Sequence, residues 1–387
     1  MRLDILHVDG LEVPVFINEY WTSGQRQASS IHEVSYRACY KPQLPRFFIE
    51  LLTEPGDTVY DPFGGRGTTA IEAALMGRGA ISNDANPLSE TLARPRFHPP
   101  TPAQVKERLN AIPQRPGGRA DFDLSMFFHP DTEAEIVSLR DYLKARRADG
   151  TEDHLDRWIR MVATNRLTGH SPGFFSVYTL PPNQAVTPDR QIKINKKRNQ
   201  TPEHRDTTKI IVRKTHSLVK ELTESQKDSL RRRGETAVFL CADARRTDAI
   251  PDNSVALTVT SPPFLNVVQY ADDNWLRCWF NDIDVDDVAG RITMARGVEE
   301  WSRFTGDVFR ELHRVTKPGG WVAYEVGEVK AGKVKLEEHV VPAGLSAGFH
   351  CVAVLINEQS FTKTANIWGV SNNSKGTNTN RIVLFSK

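Results

Sequence analysis

The 387-residue sequence has few cysteines and no segment of membrane-spanning type. Its four cysteines, Cys39, Cys241, Cys278 and Cys351, are widely scattered without a C-x-x-C pair, so neither a disulfide framework nor a zinc knuckle is expected. No apolar run reaches the length of a bilayer span, and the opening MRLDILHVDG lacks signal-peptide character. Internal repeats are missing as well. These absences predict a cytoplasmic globular protein that needs no metal ion and no membrane.

Positive charge is nearly balanced over the whole chain but concentrated in one segment. The sequence has 50 Lys and Arg against 48 Asp and Glu, which gives a net charge of +2. Between Arg190 and Arg233, however, 14 Lys and Arg stand against 5 Asp and Glu, and this segment includes KINKKR (193–198). Such a surplus favours a polyanionic partner, because neutralised phosphates release condensed counterions. A solvated, charged surface is the alternative interpretation of the same residues.

Apolar segments bounded by turn residues alternate with segments of helical periodicity. The predicted strands are 57–62, 79–84, 236–243, 254–260, 319–329, 351–360 and 381–386. The predicted helices are 42–53, 68–77 and 301–315. This alternation predicts the α/β class, with a doubly wound, mostly parallel Rossmann-like sheet and helices on both faces. The last two strands are expected to form an antiparallel pair.

The segment 97–235 interrupts this alternation. It opens with HPPTP, continues through a charged helical stretch, and then becomes rich in proline, asparagine and lysine. We interpret it as a large basic insertion between the second and third strands that forms a mostly separate lobe. Residues 1–96 and 236–387 are then the two parts of one sheet-containing domain.

A glycine-rich loop and two acids follow three successive predicted strands. The loop DPFGGRGTT (61–69) opens a helix, and its glycines allow both positive φ and a close approach of a ligand to the backbone. Its spacing is neither G-x-G-x-x-G nor a Walker loop. Asp84 and Asp243 end the next two strands, at the edge where doubly wound sheets bind their ligands. An acid at Asp84 suits both hydroxyls of a ribose, and one at Asp243 suits an exocyclic amine.

The run from Lys41 to Leu88 resembles the cofactor half of the amino-methylating DNA methyltransferases. Their usual form has a KP-containing helix, then DPFxGxGTT, then an acid followed by NP, and the run departs from it at Arg66, where small residues are common. The resemblance implies S-adenosylmethionine as cofactor and S-adenosylhomocysteine as product. The cofactor-binding residues that it implies are Asp61, Phe63, Gly65 and Gly67 around the methionine part, Thr68 beside them, Asp84 at the ribose and Asp243 near the adenine amine.

The motif TSPPF (260–264) comes directly after a predicted buried strand. Proline cannot donate a backbone hydrogen bond, so the chain must leave the sheet here, either as a stiff loop or to hold a flat substrate. An exocyclic amine on a base is a poor nucleophile unless acceptors bind both of its hydrogens. Ser261 and the carbonyl of Pro262 would be these acceptors, with Pro263 fixing the backbone. Phe264 would stack on the base after it has flipped out of the duplex.

The first position of this motif bears on which base is methylated. Within the resemblance, serine is typical of enzymes that methylate cytosine N4, whereas adenine-N6 enzymes more often carry Asp or Asn. Methylation of cytosine C5 needs a cysteine nucleophile, usually after proline, and none of the four cysteines follows one. The prediction is a site-specific, S-adenosylmethionine-dependent DNA methyltransferase (EC class 2.1.1) acting on cytosine N4. An adenine-N6 enzyme, an RNA methyltransferase and a non-catalytic nucleic-acid-binding protein stay open.

The order of the motifs predicts which part of the chain contacts DNA. A cofactor motif before the catalytic motif resembles the alpha-type order, which assigns 1–96 and 236–387 to the methyltransferase domain and 97–235 to target recognition. The predicted phosphate contacts are Lys193, Lys196, Lys197 and Arg198, and the predicted groove or stacking contacts are Phe174, Phe175 and Tyr178. Double-stranded DNA is the expected partner. The resemblance leaves room for a cognate restriction endonuclease and for a monomer or a dimer.

Overall fold

The computed structural model describes most of the chain. The described residues are 1–21, 28–36, 39–180, 185–263, 273–292, 295, 297–329, 334–358 and 379–387. Phe264, the predicted base-stacking residue, lies outside them. Its role therefore stays a prediction.

Nine strands of the described chain form one mixed sheet, and two short ones form a separate hairpin. The strands are β1 Arg2–Val8, β2 Leu11–Asn18, β3 Thr58–Asp61, β4 Gly79–Asn83, β5 Val238–Leu240, β6 Val255–Thr260, β7 Thr316–Val326, β8 Glu328–Val329, β9 Val334–Lys335, β10 His350–Glu358 and β11 Thr379–Ser386. The sheet order is β1-β2-β10-β11-β7-β6-β3-β4-β5, with β5, β4, β3, β6 and β7 parallel and β11 antiparallel to both neighbours. The predicted Rossmann-like sheet with an antiparallel C-terminal pair is confirmed.

Helices cover both faces of this sheet. Their bounds are α1 Gln43–Leu52, α2 Thr68–Leu75, α3 Leu88–Ala93, α4 Pro102–Asn110, α5 Pro130–Ala148, α6 His154–Arg166, α7 Pro188–Arg198, α8 Thr207–Val219, α9 Glu224–Gly234, α10 Trp275–Asn281, α11 Val285–Arg291, α12 Val298–Val315 and α13 Glu337–Ser346, with 3-10 turns at Ser30–His32 and Arg94–Phe97. Among the described residues, no helix combines the length and the apolar character needed to cross a membrane.

Alternate residues of the central strands pack into two apolar clusters, one on each face. On β7, Val322 and Tyr324 join the cluster beneath α12 and α13, whereas Ala323 joins the cluster on the opposite face. Strands covered on both faces are apolar throughout. All six residues of β6 are buried, and its sequence VALTVT is apolar except for two threonines.

An N-terminal hairpin extends the sheet beyond the strands that the sequence predicts. β1 and β2 pair antiparallel around Asp9 and Gly10, whose φ values are +49° and +77°. Two positive φ values in a two-residue loop match the right-handed twist of the flanking strands. β2 then pairs in parallel with β10, so the hairpin continues the sheet at its edge.

The inserted region does not form a separate lobe, which corrects the expectation drawn from its composition. Trp158 and Ile211 of the insertion belong to the same apolar cluster as Val59 and Leu257 of the central strands. The physical reason lies in α2, which is buried along nearly its whole length and needs a second layer over its outer side. Helix α9 of the insertion packs there and, through Ser229, donates a hydrogen bond of 2.7 Å to the carbonyl of Ala74.

Candidate functional site

One pocket lies at the carboxyl ends of the neighbouring strands β3, β4, β5 and β6. It brings together most of the predicted site residues, although the two motifs are far apart in the sequence. Those that line it are Phe63, Gly65, Thr68, Asp84, Asp243, Ser261 and Pro263. Asp61, Gly67 and Pro262 lie next to lining residues without being part of the lining.

The glycine loop owes its shape to close packing on its neighbours. Gly65 and Gly67 have φ values of +52° and +75°, which side chains other than glycine rarely adopt. A Cβ on Gly67 would also lie 2.4 Å from the Cβ of Ala93, which is far too close. The turn ends at Thr68, the first residue of α2, so the unpaired N–H groups of this helix start at the pocket wall.

Asp84 lines the pocket with a carboxylate that is held by two backbone amides. Its two carboxylate oxygens each accept one backbone hydrogen bond of 2.8 Å, from the amides of Gly65 and Asn86. Because a carboxylate has about four acceptor positions, two remain for hydroxyl groups of a ligand. Burial raises the pKa of Asp84 to about 6, against the pull of the two backbone donors.

Asp243, the other strand-end acid, lies in a different environment. Its carboxylate is exposed, and the guanidinium of Arg245 donates to both oxygens at distances from 2.5 to 3.0 Å. These hydrogen bonds lower the pKa of Asp243. It lines the pocket, but part of its acceptor capacity is used by Arg245, so its predicted contact with an adenine amine stays a prediction.

Asp61 connects the two motifs from behind the pocket wall. It is 1% exposed and accepts hydrogen bonds from Tyr40 Oη and Thr260 Oγ1, both at 2.6 Å, and from the amide of Phe63 at 3.1 Å. Burial raises the pKa of this carboxyl. Since Thr260 immediately precedes Ser261, Asp61 fixes the end of β6 against the glycine loop. Its predicted contact with a cofactor stays a prediction.

The hydroxyl of Ser261 donates a hydrogen bond to the carboxylate of Glu325, a residue that the sequence analysis did not single out. Glu325 belongs to the neighbouring strand β7, is 6% exposed, and also accepts a hydrogen bond of 3.0 Å from the side chain of Asn380. Burial raises the pKa of Glu325. Because a serine hydroxyl has one hydrogen, its donation to Glu325 leaves the oxygen of Ser261 as an acceptor only.

The second proline of the motif is held by a buried tryptophan of α12. Trp301, 1% exposed, donates its indole N–H to the carbonyl of Pro263 at 3.0 Å. In the part of the chain that the structure describes, no donor binds the carbonyl of Pro262. This oxygen and the oxygen of Ser261 are therefore two adjacent acceptors, each with free lone pairs.

The pocket also has walls that the sequence analysis missed. They come from the segment before α1, from the loop after β4, from the C-terminal end of α11 and from α12, and the residues are Tyr36, Cys39, Tyr40, Asn86, Arg291, Ile292 and Phe304. The rings of Phe63 and Phe304 lie 6.1 Å apart and form an apolar surface. Apolar walls beside an acid with free acceptor positions fit the adenosine part of S-adenosylmethionine.

The described residues include no group of three or more His, Cys, Asp or Glu that could hold a metal ion.

Arg66, the position that departs from the family pattern, holds part of this wall in place. Its guanidinium donates to the carbonyls of Val34 at 3.1 Å and Tyr40 at 3.2 Å, and more weakly to that of His32 at 3.4 Å. Its Nε donates to Thr68 Oγ1 at 3.1 Å. A small residue at this position would leave the segment with Tyr36 and Tyr40 without these contacts.

The predicted DNA-binding residues lie on α7, away from the pocket lining. Lys193, Lys196, Lys197 and Arg198 are exposed, and the three lysines form no ion pair within the described ranges. Arg198 stacks 3.8 Å above the ring centroid of Tyr178. The chain just before α7 contacts the segment that follows the catalytic loop, since the amide of Ala185 donates to the carbonyl of Asp273 at 3.0 Å.

The sheet has the Rossmann-like architecture that the sequence predicts, with a glycine loop after β3, an acid after β4 and Ser-Pro-Pro after β6. Residues 11–93 match the model of the DNA methylase family of N6 and N4 type. The type II methyltransferase M.MvaI of Kocuria varians is 32% identical over 80 residues, which are 20% of this chain and 18% of that protein. The resemblance drawn from the sequence is confirmed over residues 11–93, which match this family model.

Two solved structures complete these comparisons. A proposed DNA modification methylase from Thermus thermophilus, complexed with S-adenosyl-L-methionine, is 22% identical over 38% of this chain and 53% of its own, with a TM-score of 0.22. A TehB-like SAM-dependent methyltransferase from Corynebacterium glutamicum is 8% identical over 89% of this chain and 86% of its own, with a TM-score of 0.32. The match to the curated relative spans less than a fifth of that relative's length.

Proposed function

We propose that the protein is an S-adenosylmethionine-dependent DNA methyltransferase that acts on an exocyclic amine, the N4 amine of cytosine. The observation that carries the proposal is the hydrogen bond from Ser261 to Glu325. It makes the oxygen of Ser261, which lines a pocket suited to an adenosine-type ligand, an acceptor, and the carbonyl of the next residue, Pro262, would be the second. The family match of residues 11–93 supports the same activity.

Two acceptors are what an exocyclic amine needs in order to react. The lone pair of the amine is delocalised into the base ring, and its two N–H groups are donors. When both hydrogens are bound out of the plane of the ring, the nitrogen becomes tetrahedral and its lone pair becomes available. Prolines 262 and 263 hold their carbonyls with little conformational freedom, so this geometry is organised before the substrate binds.

The proposal also gives residues of the pocket roles in binding the methyl donor. The methyl donor is S-adenosylmethionine, which supplies a methyl group bound to a positively charged sulfur. Asp84 would accept the ribose hydroxyls and Phe304 would flank the adenine. Phe63 and Gly65 would lie around the methionine part, whose carboxylate the start of α2 at Thr68 would bind. Asp243 would lie near the adenine amine.

Glu325 would accept the proton that the methylated amine loses. A methylated amine must lose one proton, and Ser261 is hydrogen-bonded to a carboxylate whose pKa burial raises above its ordinary value. A carboxylate with a raised pKa is a better proton acceptor than an ordinary one. We assign to Glu325 the role of taking this proton through Ser261, and of keeping the Ser261 oxygen turned towards the amine.

The choice of cytosine N4 over adenine N6 rests on the serine at position 261. The acceptor geometry itself serves either amine, so the adenine-N6 enzyme is the second candidate. Base flipping, with Phe264 stacked on the extruded base, belongs to the same proposal because the pocket cannot reach a base inside a duplex.

DNA as the substrate is supported by the exposed cations of α7. The lysines at 193, 196 and 197 and Arg198 would contact backbone phosphates, and the region 97–235 would recognise the target sequence. A cytoplasmic location and a cognate restriction endonuclease remain part of the proposal. The oligomeric state, monomer or dimer, stays open within it.

The proposal is tested by transfer of a labelled methyl group. Purified protein is incubated with tritiated S-adenosylmethionine and, in separate reactions, with duplex DNA or with RNA. We expect label in the DNA. Label in RNA alone would indicate that the exposed cations of α7 bind RNA rather than DNA. Label in neither would favour a protein that binds nucleic acid without modifying it.

A further inference from the structure

One arginine contacts both of the residues that the proposed function places at the adenine. Asp243 lies in the loop after β5, Phe304 lies on α12, and both line the pocket. Arg245 forms an ion pair with the carboxylate of Asp243. Its guanidinium carbon also lies over the ring of Phe304, 5.5 Å from the ring centroid. The sequence analysis did not single out Arg245, which joins two elements that are far apart in the sequence.

Arg245 uses most of the acceptor positions of the Asp243 carboxylate and fixes its direction. The backbone amide of Arg245 donates to Oδ1 at 2.9 Å, its Nε lies 3.0 Å from each oxygen, and its Nη2 donates to Oδ2 at 2.5 Å. These three donors occupy three of the roughly four acceptor positions of a carboxylate, which leaves one for a ligand. A single acceptor position in a fixed direction suits a ligand that offers one N–H group there.

The same guanidinium holds an apolar wall of the pocket. A guanidinium within about 6 Å of an aromatic centroid is attracted to the face of the ring, and Arg245 meets this condition at Phe304. Phe304 is half-buried, and its ring centroid lies 6.1 Å from that of Phe63 in the glycine loop. One side chain therefore positions both the acid after β5 and the aromatic ring beside it.

The loop that carries Arg245 is fixed on α12 by contacts of its own. Thr247, 1% exposed, donates to Glu311 Oε1 from its amide at 2.6 Å and from its hydroxyl at 2.5 Å. Arg314, on the same helix, donates to the carbonyl of Thr247 at 3.1 Å. The side chains of Arg245 and Asp243, in contrast, are 42% and 45% exposed. Substitution of this pair should therefore leave the loop and the core in place.

We propose that Arg245 is a positioning residue that gives the pocket its selectivity for adenine. The inference rests on the proposed function, because it takes S-adenosylmethionine as the methyl donor. Arg245 directs the remaining acceptor position of Asp243 at the exocyclic amine of the adenine and holds Phe304 beside the base. A purine with a carbonyl oxygen in place of the amine presents a lone pair to the carboxylate instead of a hydrogen, and a site built to bind that hydrogen rejects it.

A neighbouring ion pair supplies the matched control. An exposed ion pair by itself contributes little to stability, so a merely structural pair should not affect ligand selectivity. Arg246 binds Asp248 with the same two-residue spacing, and its Nε lies 3.0 and 2.9 Å from the two carboxylate oxygens. Neither of these residues lines the pocket. Arg246→Gln therefore removes the same kind of contact from the same loop.

The test compares two ligands that differ at one position of the purine. Titration calorimetry measures the dissociation constants of S-adenosylhomocysteine and of S-inosylhomocysteine, in which a carbonyl oxygen replaces the exocyclic amine. The proteins are the wild type, Arg245→Gln, Arg245→Lys, Asp243→Asn, the double variant Asp243→Asn/Arg245→Gln and the control Arg246→Gln. The readout is the ratio of the two constants, which needs no methyl transfer. Thermal unfolding shows that each variant is folded.

We expect the wild type to bind the adenosyl compound about 100-fold more tightly than the inosyl compound. Arg245→Gln should weaken adenosyl binding about tenfold and inosyl binding about twofold, because the lost contact with Phe304 affects both ligands and the ratio falls about fivefold. Arg245→Lys keeps the charge without the planar fork, so its ratio should fall about threefold.

The remaining variants locate the effect. Arg246→Gln should keep the wild-type ratio. Asp243→Asn should lower the ratio at least as far as Arg245→Gln, and the double variant should lower it no further, because Arg245 acts through Asp243. If Arg245→Gln does not fold, Arg245→Lys decides the outcome.

An unchanged ratio in Arg245→Gln, or an equal fall in Arg246→Gln, would overturn the inference. Tighter adenosyl binding in Arg245→Gln would also overturn it, since Arg245 would then compete with the ligand for Asp243. Either result in a protein whose wild type methylates DNA leaves the proposed function standing. The expected ratios in a protein that transfers no methyl group would overturn the proposed function and leave the inference standing. A wild type that binds neither compound would overturn both.

Discussion

The pocket has a proposed cofactor end around Asp84 and a proposed target end around Ser261, and different kinds of contact hold the two ends in place. At the cofactor end, Asp84 is fixed by backbone amides that lie within 20 residues of it in the sequence. At the target end, Ser261 is fixed by Glu325 from the next strand and Pro263 is fixed by Trp301 from α12. Backbone amides hold Asp84, so substitution of a distant side chain should leave its position unchanged. Side chains from distant parts of the sequence hold Ser261, so their substitution should move it. Substitutions at the two ends should therefore have separable effects.

The largest effect is expected from Ser261→Ala, which removes an acceptor that acts on the reacting amine. We expect turnover to fall about 100- to 1,000-fold, by analogy with the loss of one preorganised transition-state contact. Affinity for DNA and for S-adenosylmethionine should change less than about threefold, since the target amine is one contact among many. Single-turnover methylation and equilibrium binding measure the two quantities. Equal losses in turnover and DNA affinity would make Ser261 a binding residue.

Glu325→Gln comes next, because it keeps the shape of the side chain and removes the charge. Turnover is expected to fall about 10- to 100-fold, the range for loss of proton transfer. Burial raises the pKa of Glu325, so the acid limb of the wild-type pH–rate profile should lie above the ordinary carboxyl range. The rate should rise with pH as the carboxylate ionises, and the variant should lose this limb. A variant that keeps the limb would assign it to another group.

Asp84→Asn tests the cofactor end alone. Loss of a charged acceptor for the ribose should weaken binding of S-adenosylmethionine about 30-fold, or about 2 kcal/mol. DNA affinity should stay the same, because Asp84 lies away from the basic surfaces. Titration calorimetry with the cofactor and anisotropy with DNA separate the two. If DNA affinity fell as much, the two ends of the pocket would not be independent.

The raised pKa of Asp84 predicts a pH dependence of cofactor binding. Its carboxyl has a pKa of about 6, so it is ionised above this value and protonated below it. A protonated acid loses acceptor positions, and binding should weaken by up to about tenfold for each pH unit below 6. Above about pH 7 the affinity should be constant. Calorimetry from pH 5 to 8 measures this, and the Asp84→Asn variant should show no such dependence.

The smallest effect is expected from Arg66→Ser, which restores the residue type common in the family. The pocket wall would lose its contacts to the backbone of residues 34 and 40, so cofactor affinity should fall about three- to tenfold, or about 1 kcal/mol. The matched control Arg46→Ser removes an exposed arginine paired with Glu50 and should leave that affinity unchanged. An equal cofactor affinity in wild type and Arg66→Ser would show that the wall does not need Arg66.

The arrangement of the glycine loop and Asp84 could be predicted because both lie in one short stretch of the sequence with clear strand and turn signals. The glycine loop lies between a strand and a helix, and Asp84 ends the next strand, so turn chemistry and strand order place them together. The position of Ser261 after β6 followed in the same way. Glu325 left a weaker signal, a single acid inside the apolar run WVAYEV, which is unusual for a strand buried on both faces.

Other features depend on tertiary contacts that no local pattern records. Arg66 reaches carbonyls about 30 residues away, and the wall that carries Tyr36 has no regular secondary structure to predict. The insertion was expected to stand apart because of its composition, but α2 needs its helices as cover. The hairpin of β1 and β2 has a local signal, because Asp9-Gly10 between alternating residues is typical of a two-residue hairpin turn.

The most direct test of the central claim is to locate the transferred methyl group. Duplex DNA is incubated with the protein and deuterium-labelled S-adenosylmethionine, digested to nucleosides, and analysed by mass spectrometry, with Ser261→Ala in parallel. We predict labelled N4-methylcytosine in the wild-type reaction and a strong reduction in the variant. Labelled N6-methyladenine would keep the acceptor mechanism and contradict the choice of base. Label on carbon C5 of cytosine, or no labelled nucleoside, would contradict amine methylation by this site.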